Sequence, residues 1–322
     1  MKVTWTIARK EITDALKNKL FLIILGMLLT LTVVSVVLGA YQVRLSVDNY
    51  NTSIEFLKSI GKTEFPPMPN LNPIAASKGF VNYIGMLGAL LAMILGNDAI
   101  VKERRSGTLR LILSRRVFRD TLLNGKLLGN LALLAGICSL AAAITFISVF
   151  AIGNVALSAG DGVRMGLFFL MSFLYMAFFL VLGITLAVMA GNGNKALLLT
   201  VVVWLVLAFV FPQVGNTMDM DNQIPGGFFA QMGMTKDQQT KVLGNFKFYE
   251  NLRDGIEEMS PTKHYERVSF ALLNVKPGFE KNTPLEILGV KWINLLGLTA
   301  PSIILWLIAY MGFLRREDIY QT

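Results

Sequence analysis

Uncharged stretches long enough to matter dominate the chain. A helix needs about 20 consecutive apolar residues to cross the hydrocarbon core of a bilayer, and six runs approach or meet that length. They lie at about residues 20–40, 79–101, 127–153, 165–190, 196–212 and 292–314. None alternates apolar and polar residues as a barrel strand would, and a backbone in lipid must satisfy its own hydrogen bonds, so the runs predict helices. The pattern predicts an all-α integral membrane protein of one domain, residues 1–322, with six transmembrane helices. No internal repeat or low-complexity tract divides it.

Between the runs the polar positions are unevenly shared. The N-terminal segment, the connection around 101–126, the short turn at 191–195 and the tail FLRREDIYQT concentrate lysine and arginine in few positions. By the positive-inside rule these are cytoplasmic faces. Six spans then place both termini inside, as Arg9, Lys10, Lys17, Lys19, Arg315 and Arg316 independently suggest. On the other side lie about 40 residues after the first span and a longer segment from Gln213 to about Lys291 between spans five and six. A connection of that length carries structure of its own. Ser260 followed by Pro261 reads as a helix start, because proline is tolerated in the first helical position. The apolar stretch Ile224–Met234 is too short to span.

Two segments carry amphipathic patterning on the cytoplasmic side. At the N-terminus Trp5, Ala8, Ile12, Ala15 and Leu16 recur at helical spacing, with Lys10, Asp14, Lys17 and Asn18 opposite. This predicts a helix in the membrane interface, of which Arg9 is also a part. The second segment, VKERRSGTLRLILSRRVFRD, is an island of six arginines between spans two and three. Within it Leu109, Ile112 and Leu113 form an apolar stripe, and Arg110 and Arg115 lie off it. Such a helix suits a groove on another protein; the same arginines also serve topology and lipid phosphates.

Composition sharpens the class. The chain is 54% hydrophobic and 16% charged, with a mean hydropathy of +0.56, which excludes an ordinary soluble domain. The net charge of +9 belongs with the membrane's inner face and not with nucleic acid. The single cysteine, Cys138, sits in an apolar run and reads as a small buried hydrophobe. No cleavable signal fits the start of the chain.

Chemistry on the chain itself is sparse. There is no GxxxxGK[ST]; GNGNKA and NGKLLG lack both the spacing and the hydroxyl after lysine, so the chain carries no ATPase site of its own. His264 is the only histidine, with no HExxH and no second ligand, so neither a metal nor a catalytic site is expected; with Glu266 it reads as a surface pair. An ion-coupled secondary transporter would place an acid, base or histidine near the bilayer midplane. No span does, and Asp98 falls within two turns of the cytoplasmic end.

The residues ERRSGTLRLILSRRVFRD, followed by LLNGKLLGN, resemble the cytoplasmic signature of type-2 ABC exporter permeases, the family that includes the permeases of nitrous-oxide-reductase maturation. Glu103, Gly107, Thr108, Leu109, Leu111, Leu113, Ser114, Arg115, Arg119, Gly125 and Lys126 match; Arg116 stands where that family carries a proline. ARKEITDALKNKLF, SPTKHYERV and FLRRED extend the resemblance at lower resolution along the chain. It implies that the island is a coupling helix seated in a cleft of a separate ABC ATPase subunit, which binds the ATP and magnesium. It also implies two permease chains, identical or different, in a bacterial or archaeal cell membrane, and an external helix with Ser260, Pro261 and His264 closing the exit path. A permease that relays ATPase motion to an external partner without moving a solute is the neighbouring alternative; its mark would be a large external domain. Substrate identity stays open.

Overall fold

The computed structural model describes residues 2–62, 65, 74, 77–107, 118–153, 158–190, 192–224, 227–275, 279 and 282–315. Among the described residues regular structure is entirely helical. A short helix α1 (Lys2–Ala15) precedes the first span, α2 (Lys19–Ser59). The next four spans are α3 (Lys78–Arg105), α4 (Arg119–Gly153), α5 (Ala159–Met189) and α6 (Gly193–Met218). Five helices follow: α7 (Phe228–Gln231), α8 (Lys236–Asn245), α9 (Lys247–Glu258), α10 (Pro261–Leu272) and α11 (Pro284–Val290). The sixth span is α12 (Trp292–Arg315).

Polar residues at the run boundaries fix the starts. The Asn18 side chain accepts from the amides of Leu20 and Phe21. Ser158 and Asp161 close a capping box at the start of α5, and Asn192 accepts from the Asn194 amide ahead of α6. Each cap satisfies amides that a helix entering lipid cannot leave bare.

The first span differs from its expected 20–40 boundary: α2 runs 41 residues to Ser59, a length of about 60 Å at 1.5 Å per residue. Charge at Arg44 and Asp48 ends the apolar run but not the helix, because Gly61 is the first glycine after Ala40 and proline comes later still. About half of α2 therefore projects past a hydrocarbon core of about 30 Å.

Two spans form the core. Most of α3 and α5 is buried, whereas α2, α6 and α12 leave long apolar faces uncovered. A Cβ on Gly96 of α3 would lie 2.2 Å from Leu180 O, and one on Gly183 of α5 would lie 2.4 Å from Met93 O. The two glycines thus let the two backbones touch, the small-residue packing that membrane helices use where no hydrophobic effect drives them together.

Both α3 and α6 contain a π-helical stretch, at Ile84–Gly88 and Leu205–Val210. Such stretches leave carbonyls poorly bonded within the helix, and here side chains take them. Tyr175 donates to Gly85 O at 2.6 Å, Trp204 Nε1 to Met86 O at 3.1 Å, and Ser260 Oγ to Leu207 O at 3.1 Å. The start of α10 is wedged among these helices. Thr262 Oγ1 lies 2.9 Å from Tyr175 Oη, and the Tyr175 and Tyr265 rings stack with centroids 4.5 Å apart.

Candidate functional site

Helix α1 lies against the beginning of α4 because two glycines four apart leave room for its backbone. A Cβ on Gly125 would come 2.8 Å from Ile7 Cβ, and one on Gly129 would come 2.6 Å from Ala8 O. Ala8 and Ala15 are buried there, while Trp5, Arg9 and Leu16 are exposed and Ile12 is half-buried. The apolar face read from the sequence therefore divides: its alanines pack on α4, and its large side chains point outward.

The polar side of α1 turns partly inward, which sequence reasoning assigned to solvent. Lys126 of α4 is only 1% exposed and lies between Glu11 Oε1 at 2.7 Å and Glu103 Oε2 at 3.0 Å. Lys10 reaches the other Glu103 oxygen at 2.6 Å. Burial alone would lower the Lys10 pKa; Glu103 outweighs it and holds the ammonium above its usual value. Lys102 lies 3.6 Å from Asp14, and Asn18 donates to Asp98 at 2.6 Å. Beneath these groups is a cavity of about 30 Å³, enough for one or two waters among polar partners.

Two positive and two negative charges thus close a compact cluster, and three elements contribute to it. Glu103 stands on the last turn of α3 and Lys126 two turns into α4, so the cluster ties α1 to both roots of the arginine-rich connection. A buried ammonium between two carboxylates is strongly held, since removing either partner strands a buried charge. The cluster therefore ties α1, α3 and α4 to one another. The signal was present as charges four apart on each helix, Lys10 and Asp14, Asp98 and Lys102, but their pairing across helices is not a sequence-local property.

The arginines flanking the connection also have structural partners. Arg104 donates to Ala190 O at 2.6 Å, Arg105 to Asn194 Oδ1 at 2.5 Å and Arg119 to Leu314 O at 2.9 Å. Ala190 and Leu314 carry carbonyls at the C-terminal ends of α5 and α12, where cations are favoured. These bonds put the ends of α3, α5 and α12 and the starts of α4 and α6 on one face with α1, here called the N-terminal face. Gly107, at φ +69°, terminates α3 in the left-handed conformation that glycine adopts without strain. Thr108, Leu109, Arg110, Ile112, Leu113 and Arg115 lie outside the described residues.

On the opposite face α10 begins at Pro261 with Ser260 as its cap. Ser260, Pro261 and His264 are all buried. The expected surface pairing of His264 with Glu266 is replaced: His264 Nδ1 lies 3.1 Å from Asn294 Oδ1, and Nε2 lies 3.0 Å from Glu258 O. The ring packs against Gly297 of α12, whose missing Cβ makes the space. Lys263, also buried, meets Asn216 at 2.5 Å and Glu257 at 3.4 Å. Lys263 and His264 of TKHYER are buried because partners arrive from α6, α9 and α12.

Six helices long and apolar enough to cross a membrane, a helix packed against them at one face and a charge cluster at the roots of a basic connection define a multi-pass membrane protein. The chain belongs to the ABC-2 family of transporter proteins, whose family model matches residues 5–318. It is 34% identical over 149 residues to a probable ABC transporter permease protein, NosY, of Pseudomonas aeruginosa, covering 45% of this chain and 46% of that one. To the protein of the same description from Stutzerimonas stutzeri it is 26% identical over 322 residues, covering 97% and 95%. The chain is the transmembrane subunit of an ABC transporter and associates with ABC ATPase subunits.

Proposed function

We propose that this permease couples ATP hydrolysis on its partner ATPase to export of a solute, with the N-terminal face cytoplasmic. The observation that carries this reading is the Lys10–Glu103–Lys126–Glu11 cluster. It binds α1 to both ends of the segment whose Leu109, Ile112 and Leu113 would fill the ATPase cleft. Two permease chains and two ATPase subunits form the working unit in the cell membrane. Closure of the ATPase pair around ATP and magnesium moves the two clefts; each pulls on its Leu109–Ser114 segment, and the cluster passes the displacement to α1, α3 and α4 as one body. Their tilt opens a path between the permeases. On the outer side α10, keyed by Ser260 and Thr262 into the π-helical stretch of α6, closes that path at rest. This chain contributes packed contacts and no catalysis.

Leu109→Glu and Leu113→Glu test the coupling. Each is expected to release the ATPase on copurification, or to leave hydrolysis running without transport in proteoliposomes, while membrane insertion is unchanged. Retained ATPase and full coupling in both variants would refute the assignment.

A further inference from the structure

A cavity of about 930 Å³ opens on the face opposite α1, between the ends of α3 and α6 and the α9–α10 pair. That volume is at the upper end for sites that enclose a small molecule, which are ordinarily apolar with a few polar groups. This wall is the reverse: apart from Phe270, each of its fifteen residues is polar or charged. Four are basic and four acidic. A wall of one sign draws ions of the other sign, but a balanced one has no net preference and presents fixed, separated charges instead.

The inner charges hold the fold. Lys263 and Arg267 share Glu257, and Arg267 reaches it at 2.8 Å. The outer groups are less committed. The side chain of Lys78 of α3 is exposed and, like those of Asn82 and Gln213, makes no hydrogen bond or ion pair among the described residues. Facing them from other elements, Asp219 and Asp254 share with Glu250 the guanidinium of Arg253 and remain 37% and 57% exposed, Asp219 also accepting from the Asp221 amide and Asn222. One wall therefore offers an ammonium and two amides without partners, and another an excess of carboxylate.

We propose that this vestibule binds a free zwitterionic solute of short-peptide size. Lys78, Asn82 and Gln213 take its anionic end, and Asp219 and Asp254 take its cationic end. The assignment rests on the export reading and deepens it, naming a water-soluble zwitterion as the substrate class. A lipid tail finds one aromatic ring in this cavity and would strip water from unpaired charges.

The test is equilibrium dialysis of the full-length permease in nanodiscs, without ATPase, against radiolabelled tri-alanine, its end-blocked uncharged analogue and dodecylphosphocholine. Saturable binding of tri-alanine alone is expected, weakened at least tenfold by Lys78→Ala and by Asp254→Asn. No saturable tri-alanine binding, equal binding of the blocked peptide, or unchanged affinity in both variants would overturn the proposal. Binding of dodecylphosphocholine in place of tri-alanine would assign the cavity to lipid headgroups and overturn it equally. Because no ATPase is present, failure here leaves the copurification result for Leu109→Glu untouched, so the two readings fail separately.

Discussion

At the residue scale the charges that decide behaviour are the ones with two partners. Lys126 neutralises Glu11 and Glu103 at once, and only Lys10, on the exposed edge, would remain to do so without it. Lys126→Met is expected to cost about 3–5 kcal/mol, the usual consequence of stranding buried charge. It should appear as a lowered melting temperature in detergent. Adding Glu11→Gln and Glu103→Gln should restore most of the loss; an unchanged melting temperature in the single variant would show that the cluster holds nothing. On the opposite face Glu257 behaves as the counterpart. Burial pushes its carboxyl up, but Lys263 and Arg267 outweigh that and hold it below the ordinary value of 4.5. A folded pKa below the unfolded one contributes stability that is fully present above about pH 4.5 and is lost as pH falls through the folded value. Hydrogen-exchange protection across residues 247–272, corrected for the intrinsic pH dependence of amide exchange, should therefore be high at pH 6 and fall as the pH drops below about 4.5. Glu257→Gln should flatten that dependence.

Between residues and the whole chain, the elements show where sequence reasoning succeeds and where it stops. The spans are legible because lipid demands length and apolarity in a continuous run, both local properties. The cap at Ser260 and Pro261 is legible for the same reason. What is not legible is the side on which a polar residue finds its partner. Lys10 and Asp14 fall on the hydrophilic side of α1 and Asn18 just beyond it, but the complementary Asp98, Lys102 and Glu103 are 80 or more positions away. His264 is misread as surface for the same reason, its partner Asn294 being 30 positions distant. The GxxxG at Gly125 and Gly129 shows only that something can approach closely; the structure identifies it as α1. Gly129→Val should push α1 away from α4, since its first added carbon already meets Ala8 O at 2.6 Å, at a cost of about 1–3 kcal/mol for overpacking. A cysteine placed at Ala15, buried in the packed structure, should then label faster with a water-soluble maleimide. Unchanged labelling would mean that α1 is held by its charges alone.

For the whole molecule the question is what covers the spans that the fold leaves bare. Helices α3 and α5 are enclosed by their neighbours, while α6 exposes Leu198, Val202, Leu205 and Phe209, which are 67%, 47%, 43% and 44% accessible. Leu197, Leu199, Val201 and Val210 are exposed beside them, so the bare face is broad, while Ala196, Thr200, Trp204 and Ala208 pack inward. In a two-permease unit, as proposed, α6 is one of three spans, with α2 and α12, whose uncovered face is available to a symmetry mate, since an interface about a two-fold axis brings the same patch from both chains together. Cysteines at Leu198, Val202 and Phe209, introduced singly after Cys138→Ala, should form crosslinked dimers in native membranes. Cysteine at Ile303, on the exposed face of α12, should stay monomeric. Equal crosslinking at all four positions would indicate random encounter in the bilayer, and none at α6 would place the partner on another span. Crosslinking on α6 would also bear on the proposed mechanism: Ser260 of the α10 cap bonds Leu207 O of α6, so separation of two permeases that meet along α6 would pull directly on α10.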